Sequence, residues 1–366
     1  QSQNSNILNK ITIEDTNPGT FYQKLHNDII DYSNSVKQTL ADMKEVKNFV
    51  IELIKLTIKL STEQEFDNEI YGSYATDLSI ESSDVDILIK IKNEVSDLDT
   101  LIGKICMFLA GLKAIDNINP ITTATIPVIK LVIDPLKLLN VPNSQTNPKN
   151  SLVKDFIEKN SQTIELFRLF LASDSAVKYL YELSDISSIK IDISFVNPSV
   201  YNENVVDYVK NQVGFNPEIT PLIHVLKRYL SIKKLNSCFN GGLASFSLLL
   251  MIVAYVRYPK TSNVTNLGSF LIGFLEFYGK YFNFNQFVID ITNFNPILMT
   301  NEYLEGPIIV DPITRKNVAK NSFRIEDVKE SFGTAFDFIQ NIKIQYDKCS
   351  LKLSGQNVIH EFHLKA

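Results

Sequence analysis

An α/β (α+β) protein is predicted, with a small mixed sheet in its first half and a helical domain in its second. Three observations carry that reading. Runs rich in Ile and Val with polar residues among them, "DVDILIKI", "TIPVIKLVI" and "SIKIDISFV", read as strands. Apolar residues near a 3.6-residue period, as in "FVIELIKLTIKL", mark helices around them. From about residue 205 to 295 the pattern is almost wholly helical, with Pro217 and Pro221 marking a helix start. A length of 366 residues exceeds one ordinary core and favours two domains.

In chain order, residues 21–60 are helical, with Lys55 and Lys59 one turn apart on the polar face. An acidic loop, "STEQEFDNE", leads into a Gly-Ser turn and the first strand. A helix near 98–113 separates it from the second strand, Thr125 to Ile133. The Asn- and Pro-rich loop "NVPNSQTNPKN" lies within an insertion of about 135–186, mostly helical in periodicity, ahead of the third strand at Ser188 to Val196. Three such strands suggest a mixed sheet with helices on one face. The expected divisions are 1–60 as N-terminal helices packing on the helical domain, 61–204 as the sheet domain and 205–366 as the helical domain. The apolar run "LASFSLLLMIVAYV" (Leu243 to Val256) is too short to span a bilayer and reads as a buried helix. A segment with "VDPITRKNVAK", a helix near 324–341 and a solvated tail bearing His360 and His363 close the chain.

An apolar share of 45% and a charged share of 21% belong to a folded globular chain. A net charge of −5 removes the basic field that would hold a polyanion non-specifically. Cys106, Cys238 and Cys349 are far apart and form no CxxC pair, which points to a reducing compartment and away from a zinc knuckle or disulfide frame. The opening "QSQNSN" has no basic-then-apolar pattern, so neither secretion nor a membrane is expected.

Chemistry concentrates in "GSYATDLSIESSDVD", Gly72 to Asp86. Alternate residues of a strand share a face, so Asp84 and Asp86 point the same way while Val85 packs inward. Two carboxylates that close repel unless a cation lies between them. Asp192 sits in another strand, "IKIDISF", and neighbouring pairing would bring it beside the first two. Three converging hard oxygen ligands suit Mg²⁺ and a two-metal phosphoryl-transfer site. Gly72 lets backbone N–H groups approach phosphate oxygens, and Ser73 adds a hydroxyl donor.

An apolar residue, Gly-Ser, a spacer and Asp-x-Asp resemble the signature of the DNA-polymerase-β-like nucleotidyltransferases. "YGSYATDLSIESSDVDILI" is similar, more narrowly, to the non-canonical poly(A) polymerases of the Trf4 type. "LHNDIIDYSNSV", "PLIHVLKRYLSIKKLNSCFNGGLASFSLLLMIVAY", "LGSFLIGFLEFYGKYFNFN" and "VDPITRKNVAKNSFRIEDVKESFGTAFDFI" resemble further family blocks, in the family's order. The resemblance implies a nucleotidyltransferase palm, a helical central domain (the poly(A)-polymerase-associated domain) that closes the nucleotide cleft, and template-independent addition of AMP from ATP to an RNA 3′ end. It implies Mg²⁺, with Mn²⁺ as a substitute, and a nuclear location over a cytoplasmic one.

Residue by residue, the resemblance puts Gly72 and Ser73 on the phosphate-holding turn, and Asp84, Asp86 and Asp192 on the metal ligands. Lys227 falls on the lysine that meets the triphosphate, and Lys234, two helical turns on, would share its face. Ser245 falls on the phosphate-binding serine of a helix start. Asn202 is placed on the ribose contact, with Asn197 and Asn204 as rivals. Phe246 stands where the family stacks a tyrosine on the base, and Ala244 replaces a serine. "NVAK" replaces Val-Gly-Arg, so Ala319 and Lys320 alter the base side. Lys316 stands where uridylyl-adding relatives carry a uracil-selecting histidine, which leans toward ATP; the inserted segment, with its positional counterpart in RNA-editing uridylyltransferases, leans toward UTP. A terminal uridylyltransferase and a catalytically inactive RNA- or partner-binding scaffold are the alternatives. With no RNA-binding module visible and an acidic balance, dependence on an RNA-binding partner protein is expected.

Overall fold

The computed structural model describes residues 20–62, 65–91, 97–112, 114–124, 126–134, 137, 188–196, 204–257, 266–348 and 357–365. The predicted insertion at 135–186 lies outside the described residues, save Lys137. The chain divides into two compact units, one of residues 38–206 and one of 1–37 with 207–366. The first helix, α1 (Phe21–Ser61), carries the division within its length.

The first unit is a five-stranded mixed sheet with helices. Its strands are β1 (Phe66–Tyr71), β2 (Val85–Ile91), β3 (Ile115–Ile121), β4 (Val128–Ile133) and β5 (Ile189–Val196), in the order β1-β2-β5-β4-β3. Only β2 and β5 run parallel. A short helix, α2 (Gly72–Ala75), follows β1, and α3 (Leu98–Leu109) follows β2. The Asp97 side chain caps α3 by accepting from the Thr100 amide at 3.0 Å. Odd-numbered residues of the central strands form the core: Val85, Ile87, Ile129, Leu131, Ile191 and Ile193 are at most 1% exposed. They pack with Val50, Ile54 and Ile58 of α1 and Ile102, Ile105 and Leu109 of α3. Each central strand thereby turns its even-numbered residues to the other face.

Two strands, β1 and β3, fall where no strand was expected. They form the two edges of the sheet, and their burial follows no clean alternation. Pro120 sits within β3, tolerated there because an edge strand can spare an N–H.

The second unit holds α4 (Asn204–Phe215), α5 (Ile219–Ile232), α6 (Ser245–Arg257), α7 (Leu267–Glu276), α8 (Ile325–Lys348) and α9 (Val358–Lys365). It also contains a three-stranded sheet, β6 (Phe287–Ile289), β7 (Ile297–Met299) and β8 (Ile308–Ile309), in the order β7-β6-β8, within and just after a stretch expected to be helical. These strands are too short for a period-2 pattern to declare itself. The core is aromatic: Phe274 lies 4.8 Å from Tyr278 and 5.6 Å from Phe332 between ring centroids. A π-helical turn at Phe277–Tyr281 continues α7, and Gly279 presses on the backbone of Gly333 in α8 so closely that a Cβ would sit 2.3 Å from the Gly333 nitrogen.

The expected solvated tail is a packed helix instead. In α9, Ile359 and Phe362 are fully buried, and Phe362 stacks on Tyr229 of α5 at 4.6 Å. The Val358 amide donates to Asp28 of α1 at 2.7 Å. Two apolar residues spaced i, i+3 were the signal, hidden by the polar residues around them.

Candidate active site

Gly72, Asp86 and Asp192 are brought together by the sheet register. Asp86 of β2 pairs with Asp192 of β5, and Asp192 in turn pairs with Lys130 of β4. Residues paired across strands share a face, so these side chains form one row of two carboxylates and an ammonium. Neighbouring strands lie about 4.8 Å apart, which sets the spacing of the row. Asp84 precedes β2 by one residue and lies two before Asp86. All three aspartates are partly buried.

The Gly-Ser turn is fitted to this row. Tyr71, the last residue of β1, pairs with Asp86, so the next residue must pass directly over that carboxylate. Gly72 does so with φ +67°, and a Cβ there would lie 2.1 Å from Asp86 Oδ2. Both the conformation and the contact require glycine. The Ser73 carbonyl accepts from the Leu78 amide at 3.1 Å, and its hydroxyl accepts from Ser79 at 3.3 Å. Buried Leu78, Ser79 and Ile80 anchor the loop, and the Ser83 hydroxyl accepts from the Ile80 amide at 2.9 Å. That turn delivers the chain to Asp84.

Two lysines flank the carboxylates, and no motif had singled them out. Lys130 is ion-paired to Asp192 Oδ2. Lys47 of α1 is 2% exposed, and its ammonium has no hydrogen-bond partner among the described residues. Burial pushes the Lys47 ammonium below the usual lysine range, while Glu81 and Asp84 pull it back up. The Tyr74 ring lies 5.7 Å from the Lys47 nitrogen.

The donor set fits a hard divalent cation in kind: carboxylate oxygens, two of them abreast, under a glycine whose side chain would block them. No closed cage of three or more His, Cys, Asp or Glu is drawn together among the described residues. The pairing of Asp192 with Lys130 is consistent with that openness.

The remaining predicted residues belong to the helical unit, except those near 200. Lys227 lies on α5 and is 7% exposed, a buried lysine and not a surface one. Lys234 does not share its face: α5 ends at Ile232, and Lys234 is exposed in a left-handed turn at φ +56°. Ser245 and Phe246, both partly buried, open α6. The Ala244 carbonyl accepts from the Leu248 amide, so the replacement of a serine costs the helix start its side-chain oxygen. Asn197 and Asn202 lie outside the described residues, and Asn204 begins α4. Ala319 is fully buried, and its amide donates to Asn317 at 2.9 Å; Lys316 and Lys320 are exposed.

A further polar cluster escaped the sequence reading. Arg315, at φ +60°, grips Asp290 with its two terminal guanidinium nitrogens, at 2.9 and 2.5 Å, and also donates to the Thr292 hydroxyl at 2.6 Å. The Arg315 fork and the Thr292 bonds hold the Asp290 carboxyl down to about 2. Twenty-odd residues separate the partners, so nothing local in the sequence announces the pair.

A family profile described as the central palm domain of mitochondrial-like poly(A) RNA polymerase matches residues 25–202. A second, described as Cid1 family poly A polymerase, matches residues 266–331. The chain belongs to the non-canonical poly(A) polymerase family. Among its relatives, poly(A) RNA polymerase protein 1 of Eremothecium gossypii is 23% identical over 77% of this chain and 39% of its own length. Poly(A) RNA polymerase protein 2 of Saccharomyces cerevisiae is 22% identical over 81% of this chain and 44% of its own. The chain thus spans about two fifths of these relatives. The Drosophila melanogaster protein named inactive non-canonical poly(A) RNA polymerase protein Trf4-2 is 29% identical over 41% of each chain. The fold is shared with the polymerase core of TRAMP, an RNA surveillance complex, at TM-score 0.67 and 20% identity over 96% of this chain and 98% of that one. It is shared with the Cid1 poly(U) polymerase at TM-score 0.57 and 17% identity, over 87% and 95%. No helix among the described residues is long and apolar enough to cross a membrane.

Proposed function

We propose that this chain is the polymerase core of a template-independent RNA 3′-end nucleotidyltransferase that adds AMP from ATP. One observation carries the reading: Asp86 and Asp192 stand side by side in register, with Asp84 two residues before Asp86 and Gly72 held against the Asp86 carboxylate. A non-catalytic sheet gains nothing from two adjacent carboxylates.

In the reaction, the RNA 3′-oxygen forms a bond to the α-phosphorus of ATP. The bond from that phosphorus to the bridging oxygen breaks, and pyrophosphate leaves. Asp192 accepts the hydroxyl proton, or passes it to water, as the attack proceeds. Asp84, Asp86 and Asp192 would hold Mg²⁺, which supplies stabilisation of charge on the attacking and leaving oxygens. Gly72 and Ser73 receive phosphate oxygens, as do Lys227 and Ser245. Phe246 stacks on the base without the family tyrosine's hydroxyl.

Uridylyl transfer is the second reading, supported by the fold shared with the Cid1 poly(U) polymerase. The exposed lysine at 316, where a selecting histidine would stand, favours ATP. A relative named as inactive makes a scaffold role the third. An oligoadenylate primer incubated with each nucleotide and Mg²⁺ tests all three on one gel. Extension with ATP, lost in D84A/D86A, supports adenylyl transfer. Extension with UTP alone moves the reading to a uridylyltransferase, and no extension with any nucleotide, with or without an RNA-binding partner, to a scaffold.

The acidic net charge of −5 supports weak affinity for RNA and reliance on an RNA-binding protein. The reducing chemistry implied by unpaired Cys106 and Cys238 accords with a nuclear setting.

A further inference from the structure

We propose that Lys130 is a positioning residue, a resident counter-ion that holds the Asp192 carboxylate beside Asp86 and yields it when a divalent cation binds. The inference rests on the reading of Asp84, Asp86 and Asp192 as cation ligands.

The row Asp86–Asp192–Lys130 runs across three adjacent strands on one face. Two carboxylates one strand apart repel, and Asp192, between Asp86 and Lys130 in the row, needs a cation to stay beside Asp86. Lys130, directly opposite, holds it by an ion pair. The geometry of exposure suits exchange. The Lys130 side chain is 41% exposed and that of Asp192 is 18% exposed, so the ammonium can move into water on its flexible stem without leaving an orphaned buried charge. An incoming divalent cation then replaces one positive charge with two.

The opposite flank is built differently. Lys47, buried and without a hydrogen-bond partner among the described residues, has Glu81 and Asp84 as its opposite charges. One buried Glu81 oxygen also lacks a partner there. Lys47 has no route into water comparable to that of Lys130. The carboxylates are therefore set between a fixed cation and an exchangeable one.

Mn²⁺ binding to the full chain, measured by calorimetry without nucleotide or RNA, tests this. K130M removes the competing charge, so Mn²⁺ should bind about three- to tenfold more tightly. Its melting temperature should fall below wild type without Mn²⁺ and recover with it. K130R keeps the competing charge, so the tighter Mn²⁺ binding of K130M should not appear in it. A residue that merely packs the sheet would leave Mn²⁺ affinity unchanged or weaken it, and that result overturns the role of Lys130. K130Q gives an independent variant should K130M aggregate. If Mn²⁺ binding to wild type is absent, or insensitive to D86N, the cation reading of the aspartates fails and takes this inference with it. Binding that is sensitive to D86N but unmoved by K130M sinks the inference alone.

Discussion

Each sheet of the molecule carries an aspartate paired with a cation, and the two pairs are built in opposite ways. Asp290, beside β6, is 4% exposed and held by both terminal nitrogens of Arg315 and by Thr292. Asp192, on β5, is partly exposed and met by one lysine. A guanidinium fork fixes a carboxylate in plane and direction; an ammonium neutralises it and can leave. The first arrangement suits a structural joint, the second a carboxylate that must change partners. The contrast predicts that disturbing the palm carboxylates costs activity, whereas disturbing the helical unit's polar joints costs stability.

The largest effect is expected at Asp86. D86A should lower primer extension by at least about 10³-fold, since a ligand and its charge are lost together. Its melting temperature should stay level or rise, because a like-charge neighbour of Asp192 has gone. A D86A protein that unfolds earlier than wild type would make the row a structural feature and erase the contrast.

Acid separates the helical unit's joints from the palm. The His363 ring bonds the Val225 carbonyl at 3.1 Å, and burial among the residues around it lowers its pKa from 6.5 to about 4. Arg228 and His360 add to the lowering. The unfolded chain therefore binds a proton that the folded chain refuses. Stability is complete above about pH 6.5, falls as pH drops toward 4, and loses up to about 3 kcal/mol across that window. The fall due to Asp290 comes later, between its ordinary value of 3.8 and about 2. Urea melts from pH 7 to 4.5 should show the loss in wild type and a flatter curve in H363Q. Equal slopes in the two would remove His363 as the cause.

How legible these features were in the sequence follows from their exposure and their range. Strands β2, β4 and β5 declared themselves because Val85, Ile87, Ile191 and Ile193 alternate with the residues of the other face. The edge strands β1 and β3 did not, since one side of each lies open and their sequences, "FDNEIY" and "IDNINPI", are mostly polar. Asp84 and Asp86 were legible from their i, i+2 spacing. Asp192 was legible from its place in a strand expected to lie beside theirs, as the pairing of Asp86 with Asp192 has it. Lys130 was illegible: its partner is set by cross-strand register, fixed only when β4 is laid beside β5. Lys47 was hidden similarly, as one lysine among several on a long helix. Asparagines at 197, 202 and 204 lie close together, which is why the sequence offered three positions for the ribose contact.

A smaller effect should come from Gly72. G72A places a methyl group into Asp86 Oδ2 and demands a φ that alanine resists. The carboxylate is the softer party and should give way, so extension should drop about 10- to 100-fold with KM for ATP changed less than kcat. A variant of wild-type rate would show that the close approach of turn and carboxylate has no bearing on the reaction.

The smallest effect tests the comparison most directly. A double-mutant cycle on D290N and R315M isolates the coupling of the Arg315 fork to Asp290. Half of the Arg315 side chain lies in water, at 52% exposure, which screens the pair below the strength of a buried one. The bidentate geometry and the extra bond to Thr292 raise it again, so a coupling above that of an ordinary exposed ion pair is expected in urea melts. The same cycle on D192N and K130M should give less than about 1 kcal/mol, and that coupling should vanish in saturating Mn²⁺. If the Asp192–Lys130 coupling equals the Asp290–Arg315 coupling and survives Mn²⁺, the two pairs are the same device, and the lysine is a strut and not an exchangeable charge.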